Sequence, residues 1–201
     1  MGVPFSSTGH ARRGGFSLLE LLAVIAIISI LMVLVVPALN SIVTNYRITD
    51  TAARLAAMIE RGRIHATVTQ RVVGVRFFAG SNPEEFTATT LVEMTPVPGT
   101  NAMTTNLLTR YFRFPEPIIL SKSHSSLLAD GSAAGTNSTA VPGDGVRAYR
   151  DFCIFPDGST SLSNFSTNPC LGILKRTDTT PDNPCVLSID PVTCRVTTYR
   201  K

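Results

Sequence analysis

An α+β fold, with one long N-terminal helix followed by an antiparallel sheet, is what the sequence predicts. Three observations lead there. The first is an apolar run of 21 residues, Phe16 to Val36, in which only Ser17, Glu20 and Ser29 are not apolar. The second is a spacing of three and four between apolar residues that continues to Ala66. The third is a change of texture at Val72, after which short β-rich runs alternate with turn signals. At 201 residues, 44% hydrophobic and 16% charged, the chain has room for one ordinary soluble domain and a terminal segment.

As a helix the apolar run is about 32 Å long at roughly 1.5 Å per residue, enough to cross a bilayer. Arg12 and Arg13 precede it and would hold the N-terminus in the cytoplasm, with everything downstream exported. Three readings compete: a secretory signal peptide, a plain membrane anchor, and a helix that sits first in a membrane and afterwards in a protein assembly. Val36-Pro37-Ala38 loosely mimics a small-x-small cleavage site, but the run exceeds the usual apolar region of about 7–15 residues and holds a carboxylate. A plain anchor explains the length but not Glu20. An acidic group costs on the order of 2.5–3.5 kcal/mol at the centre of a membrane helix, and less near an end where it reaches the headgroups. In the third reading a cut after Gly15 makes Phe16 the new N-terminus, and Glu20 follows four residues along the helix. The helix dipole favours a carboxylate there, and a neighbouring subunit's ammonium could neutralise it.

Past Pro37, the residues Leu39, Ile42, Val43, Tyr46, Ala52, Leu55, Ala56, Ile59 and Ala66 are read as one apolar face of a continuing helix. Asn40, Arg47, Asp50, Arg54, Glu60, Arg61 and Arg63 supply the polar face, so this half is expected to pack on a globular head. Strands are expected over Val72 to Ala79, Phe86 to Met94, Arg110 to Phe114, Ile118 to Ser121, Phe152 to Phe155, Leu171 to Arg176, Val186 to Ile189 and Val192 to Tyr199. Ser81-Asn82-Pro83, Pro96-Val97-Pro98-Gly99 and Pro156-Asp157-Gly158 separate some of them. The stretch from Asp130 to Gly145 is rich in Gly, Ser and Thr and reads as an exposed loop.

The charge of +4 falls to +2 without Arg12 and Arg13, since 16 basic residues then face 14 acidic ones; that is too little to argue for nucleic acid from charge alone. Cys153, Cys170, Cys185 and Cys194 all lie in the last 50 residues, which points to an oxidising compartment and disulfides. Four cysteines allow three connectivities, and Cys153 with Cys170 and Cys185 with Cys194 are preferred because each pair closes a short loop. No zinc pattern and no EF-hand spacing occurs, and Asp130, Asp144 and Asp157 read as turn residues, so neither metal nor cofactor is expected. His65 lies in the amphipathic helix and His124 in "SKSHSS"; a serine beside a histidine is not a catalytic triad, and no nucleophile elbow or phosphate-binding loop appears. The expectation is a non-enzyme.

Arg12-Arg13-Gly14-Gly15, then Phe16-Ser17-Leu18-Leu19-Glu20 and a long apolar helix, resembles the leader and N-terminus of type IV pilins and type II secretion pseudopilins. The resemblance implies a pilin-like fold, cleavage after Gly15 by the prepilin peptidase, N-methylation of Phe16, a filament-assembly role for Glu20 and a helix kink at Pro37. It implies four parts: a leader at 1–15, a transmembrane and filament-core helix at 16–37, an amphipathic helix at 38–71 and a periplasmic β-rich head at 72–201. Its partners would be the inner membrane, the peptidase and other pilin or pseudopilin subunits. "ARLAAMIERGRIHATVTQRVVGVRF" and the closing "VLSIDPVTCRVTTYRK" resemble the GspH/FimT-like group of minor pseudopilins, in which a glycine often stands where Cys194 stands here. Some FimT-like pilins bind DNA through a basic C-terminal region, which would map to Arg195, Arg200 and Lys201, with Lys175 and Arg176 upstream. Such phosphate contacts would be weak, salt-dependent and blind to sequence.

Overall fold

Helix α1 spans Leu18–Thr69, and ten strands follow it among the described residues. The structure, a computed structural model, describes residues 17–100, 103–129, 136–141, 145–162, 169–177 and 184–200, without the side chains of residues 34–38, 136 and 137. The chain divides into two compact units, Met1–Ile42 and Val43–Lys201.

In the second unit the stretch of α1 from Val43 onward carries a buried stripe: Ile48, Ala52, Leu55, Ile59 and Ala66. The steps of four, three, four and seven keep these side chains over one another at 3.6 residues per turn. Gly62 continues the stripe, and a Cβ there would lie 3.2 Å from Leu91 and 3.3 Å from Ile154, so glycine permits the close approach of helix to sheet. Past Thr69 the chain turns through Gln70, whose φ is 55°, into the sheet.

The strands are β1 (Val72–Ala79), β2 (Glu85–Pro96), β3 (Met103–Leu107), β4 (Phe112–Arg113), β5 (Ile118–Ser121), β6 (Thr136–Val141), β7 (Gly145–Ile154), β8 (Cys170–Lys175), β9 (Cys185–Ile189) and β10 (Val196–Arg200). They form one antiparallel sheet in the order β10-β9-β8-β5-β2-β1-β7-β6. Strand β2 is long enough to serve three short neighbours along one edge: β5 at Glu85–Phe86, β4 at Ala88–Thr89 and β3 at Val92–Pro96. Alternation then sorts the side chains. Val73, Val75 and Phe77 of β1, Phe152 and Ile154 of β7, and Ile173 and Leu187 face the helix in the main core. Phe78, Ala88 and Val141 make a second, smaller cluster with Tyr111 and Tyr149. Strand β1 is therefore buried nearly throughout, as a central strand should be.

Three expectations are corrected. The stretch from Asp130 to Gly145 is not all loop: residues 136–141 form β6, paired with β7 from Thr136↔Arg150 to Val141↔Gly145. Its Ser/Thr-rich sequence lacks the apolar alternation that marks a half-buried strand, because it is an edge strand with one neighbour. Val192 and Thr193 lie in a turn, where the Asp190 carboxylate accepts their N–H groups at 2.9 and 3.4 Å, so β10 starts at Val196. The apolar face of the helix is not one face either. Leu39, Ile42, Val43 and Tyr46 are 46–72% exposed, and within the second unit Val43 and Tyr46, at 3.6 residues per turn, point roughly 160° away from the stripe through Ile48 and Leu55.

Candidate functional site

The apolar helix in the first unit begins where the Ser17 carbonyl accepts the N–H groups of Glu20 and Leu21 at 3.0 and 3.1 Å. Ser17 and Glu20 stand three apart, the spacing of a capping box, a signal present in the sequence that puts the carboxylate in the favourable first turn. Beyond it, Leu18, Leu19, Leu21, Leu22, Val24, Ile25, Ile27, Ile28, Ile30, Leu31, Met32 and Val33 are 44–80% exposed. These side chains occupy every direction around the helix. A helix that is apolar all round belongs in a core or a membrane, and each such side chain gains roughly 1.5–3 kcal/mol on leaving water. Ser29 removes its own polarity by donating its hydroxyl to the Ile25 carbonyl at 2.7 Å, which leaves Glu20 as the one carboxylate in residues 17–33. Among the described residues no helix is long and apolar enough to cross a membrane; the described side chains of the run stop at Val33. Gly15 and Phe16, the residues of the expected cut and methylation, lie outside the described residues together with Arg12, Arg13 and Lys201; α1 runs through position 37, but the Pro37 side chain is likewise outside.

In the head, arginines fasten the helix to the turn before β5 and to the edge strand β10. Arg47 of α1 donates to the Glu116 carbonyl at 2.6 Å, and Arg200 of β10 donates to the Asn45 carbonyl at 3.3 Å and to the Thr49 hydroxyl. At the far end of the helix, the Glu93 carboxylate on β2 meets His65 Nε2 at 3.0 Å and is also paired with Arg71. The hydrogen bond from His65 and that from Arg71 hold the Glu93 carboxyl below its ordinary range. His65 is thus a tie between helix and sheet. On the opposite face of the sheet, Arg76 is paired with Asp151 at 3.1 Å and lies 3.8 Å from the centre of the Tyr149 ring, a buried pair roofed by an aromatic. Burial raises the Asp151 carboxyl despite that neighbour.

Of the expected basic C-terminal residues, the two that are described stand apart. Arg195 stands at the start of β10, beside Glu60 and Arg63, whereas Arg200 is five residues along, about 17 Å at roughly 3.4 Å per residue, and is engaged with the helix. Upstream, Arg176 is paired with Glu85 at 2.7 Å. His124 Nδ1 lies 2.9 Å from Ser123 Oγ and 3.2 Å from Ser121 Oγ, with no carboxylate hydrogen-bonded to it among the described residues, and its carbonyl closes over Gly172, where a Cβ would sit 2.5 Å from that oxygen. Asp157 accepts the Ser159 hydroxyl at 2.7 Å and its N–H at 2.9 Å, a turn arrangement that lowers its carboxyl. Among the described residues no group of three His, Cys, Asp or Glu side chains could hold a metal ion. Asp130 and Asp144 lie outside them.

The preferred disulfides are not formed in this structure, where none of the four cysteines is bonded to another. The β9–β10 register shows why Cys185 and Cys194 do not meet. Cys185 faces Arg200 and Ile189 faces Val196, so Cys194 lies past the opposite end of the ladder, more than about 13 Å away, against the 4.4–6.8 Å that a disulfide needs roughly between Cα atoms. The Cys153 sulfur lies 3.6 Å from Met94 Sδ, and the Cys170 sulfur accepts the Ser126 hydroxyl at 3.5 Å. Burial pushes the Cys153 thiol up to about 11 and the Cys194 thiol to about 12, so neither is a ready nucleophile. Cys194 has a φ of 56°, the left-handed conformation that glycine adopts most easily.

No curated protein matches the chain. The crystal structure of the type IV minor pilin FimU from Pseudomonas aeruginosa (strain PAO1) is similar to it at a TM-score of 0.49 and 14% identity, over 78% of this chain and 90% of that one. The family model that matches is described as the prokaryotic N-terminal methylation motif, and this chain carries that motif at residues 10–36.

Proposed function

We propose that the chain is a minor pilin or pseudopilin, a structural subunit that waits in the inner membrane and is then built into a periplasmic filament of the type IV pilus or type II secretion kind. The observation that carries this reading is the helix over 18–33: apolar in every direction, exposed, and carrying one carboxylate, in its first turn. The methylation motif at residues 10–36 supports the same reading. Cleavage after Gly15 by the prepilin peptidase frees the Phe16 ammonium, which is then methylated. In the membrane the apolar side chains face lipid; in the filament they face the helices of other subunits. Glu20 then neutralises a neighbour's N-terminal ammonium in an apolar surround, where opposite charges attract far more strongly than in water. The exposed Leu39, Ile42, Val43 and Tyr46 supply further apolar surface for those neighbours. In this reading the head does no chemistry.

Replacement of Glu20 tests the assembly step separately from processing. Glu20→Gln is expected to be cleaved and methylated as the native chain is, to remain in the inner membrane, and to be lost from sheared or sedimented filaments. Filaments carrying Glu20→Gln at the native level contradict the role given to the carboxylate.

A further inference from the structure

Strand β10 ends the sheet on one side. The N–H of Asp190 donates to the Arg195 carbonyl, and this fixes the alternation of the β9–β10 ladder. The facing pairs Ser188–Thr197 and Val186–Tyr199 exchange hydrogen bonds, so the N–H and C=O groups of Val196, Thr198 and Arg200 point the other way, where no described strand follows. Natural edges are usually blunted by proline, a bulge, a charge along the strand or a covering element. In Val196–Arg200 the only charge is Arg200, at the far end and already engaged with α1.

A groove of about 600 Å³ opens at the start of this edge, with Ala56, Ala57, Glu60 and Arg63 of α1 on one side and Thr193, Arg195 and Val196 on the other. That is within the range of about 300–1,000 Å³ typical of binding clefts. The alanines keep the helix wall low, so the groove can take an extended chain. Of the cations that line it, Arg63 is bound to Glu60 through two hydrogen bonds, of 2.9 and 2.5 Å, whereas the Arg195 guanidinium, which acts on Glu60 by charge alone, makes no hydrogen bond among the described residues.

We propose that this groove takes the C-terminal segment of a partner polypeptide as an added strand on β10, with its terminal carboxylate at Arg195. The direction follows from the position of the arginine. A chain that ends beside Arg195 runs opposite to β10, and antiparallel pairing is the slightly more stable kind. Main-chain hydrogen bonds to Val196, Thr198 and Arg200 supply affinity, the alanine wall favours short or β-branched side chains, and the charge-assisted bond to the carboxylate fixes the register. The proposal rests on the head alone and stands or falls independently of the reading of the N-terminal helix.

The test is fluorescence polarisation of the full-length chain, in detergent micelles, against an array of labelled pentapeptides of apolar and β-branched composition, each made as free acid and as C-terminal amide. At least one free acid is expected to bind, with its amide weaker by about tenfold or more. Arg195→Gln is expected to erase the difference between acid and amide. Thr198→Pro removes an outward N–H without touching the bonds to β9, and Ala57→Phe fills the groove from an exposed helix position; each is expected to abolish binding. Where one of these two shifts the melting temperature, the other and Arg195→Gln decide. An array in which no free acid binds, in which acids and amides bind equally, or in which the blocking variants bind like the native chain overturns the proposal.

Discussion

Along α1, the large apolar side chains from Leu18 to Val33 are 44–80% exposed, whereas Ile48, Ala52, Leu55 and Ile59 are 0–5% exposed. Both stretches are helical and both are rich in Leu, Ile and Ala, so propensity does not separate them. What differs is the polar complement. Between Asp50 and Arg63 charged residues share the helix with the stripe, and they make local pairs: Arg54 with Asp50 at 2.8 Å and Arg63 with Glu60. That stretch has an inside and an outside, and its inside is supplied by the sheet of the same chain. The stretch up to Val33 has no outside. Its cover has to come from lipid or from other chains, and the lesson is that a helix declares by its periodicity whether its partner is encoded in its own sequence.

Paired truncations break or sharpen this contrast. Leu55→Ala, at a side chain with no exposure, is expected to lower the stability of the head by about 2–5 kcal/mol in denaturant titration. Ile27→Ala, at a side chain 58% exposed, is expected to leave that stability within about 0.5 kcal/mol and to show its effect only in membrane retention and filament incorporation. Equal effects of the two on head unfolding would erase the distinction. A smaller effect of opposite sign is expected at Thr51, whose hydroxyl is buried in the helix–sheet interface with no partner among the described residues. Thr51→Val keeps the shape and is expected to stabilise the head by about 0.5–1.5 kcal/mol in the same titration.

The weakest lever is acid. The hydrogen bonds from His65 and Arg71 lower the Glu93 carboxyl below its ordinary 4.5, so the folded state holds this proton less tightly than the unfolded one. The resulting stability is present above about pH 4.5 and is lost as the pH falls through the lower folded value. Glu93→Gln is expected to flatten the acid limb of the melting-temperature profile below that pH and to leave its neutral-to-alkaline limb parallel to that of the native chain.

Much of the fold is legible in the residues. Strands such as Val72–Ala79 and Ile118–Ser121 are apolar because neighbours or the helix cover them, and burial of that kind leaves its mark on composition. Met103–Leu107 and Thr136–Val141 leave no such mark: the first is exposed throughout, and the second is an edge strand held mainly by main-chain pairing to β7. In the helix, spacing identifies apolar positions but not the side from which the sheet approaches, which is why Tyr46 reads as core and Ile48 does not. The cysteines mislead for a related reason. Closeness in sequence favours a short loop, whereas the hairpin register places Cys185 at one end of the ladder, opposite Arg200, and Cys194 past the other. At the N-terminus the glycine, the phenylalanine, the glutamate and the apolar run are all local, so the motif is readable without the fold.

The central claim, that the apolar stretch acquires its partners after the leader is removed, is tested most directly by intact mass and N-terminal sequencing of the chain from host membranes, with the prepilin peptidase gene present and deleted. A peptidase-dependent start at N-methylated Phe16 is the predicted result. Retention of Met1 in both strains, or a start near Leu39 whether or not the peptidase is present, would contradict it.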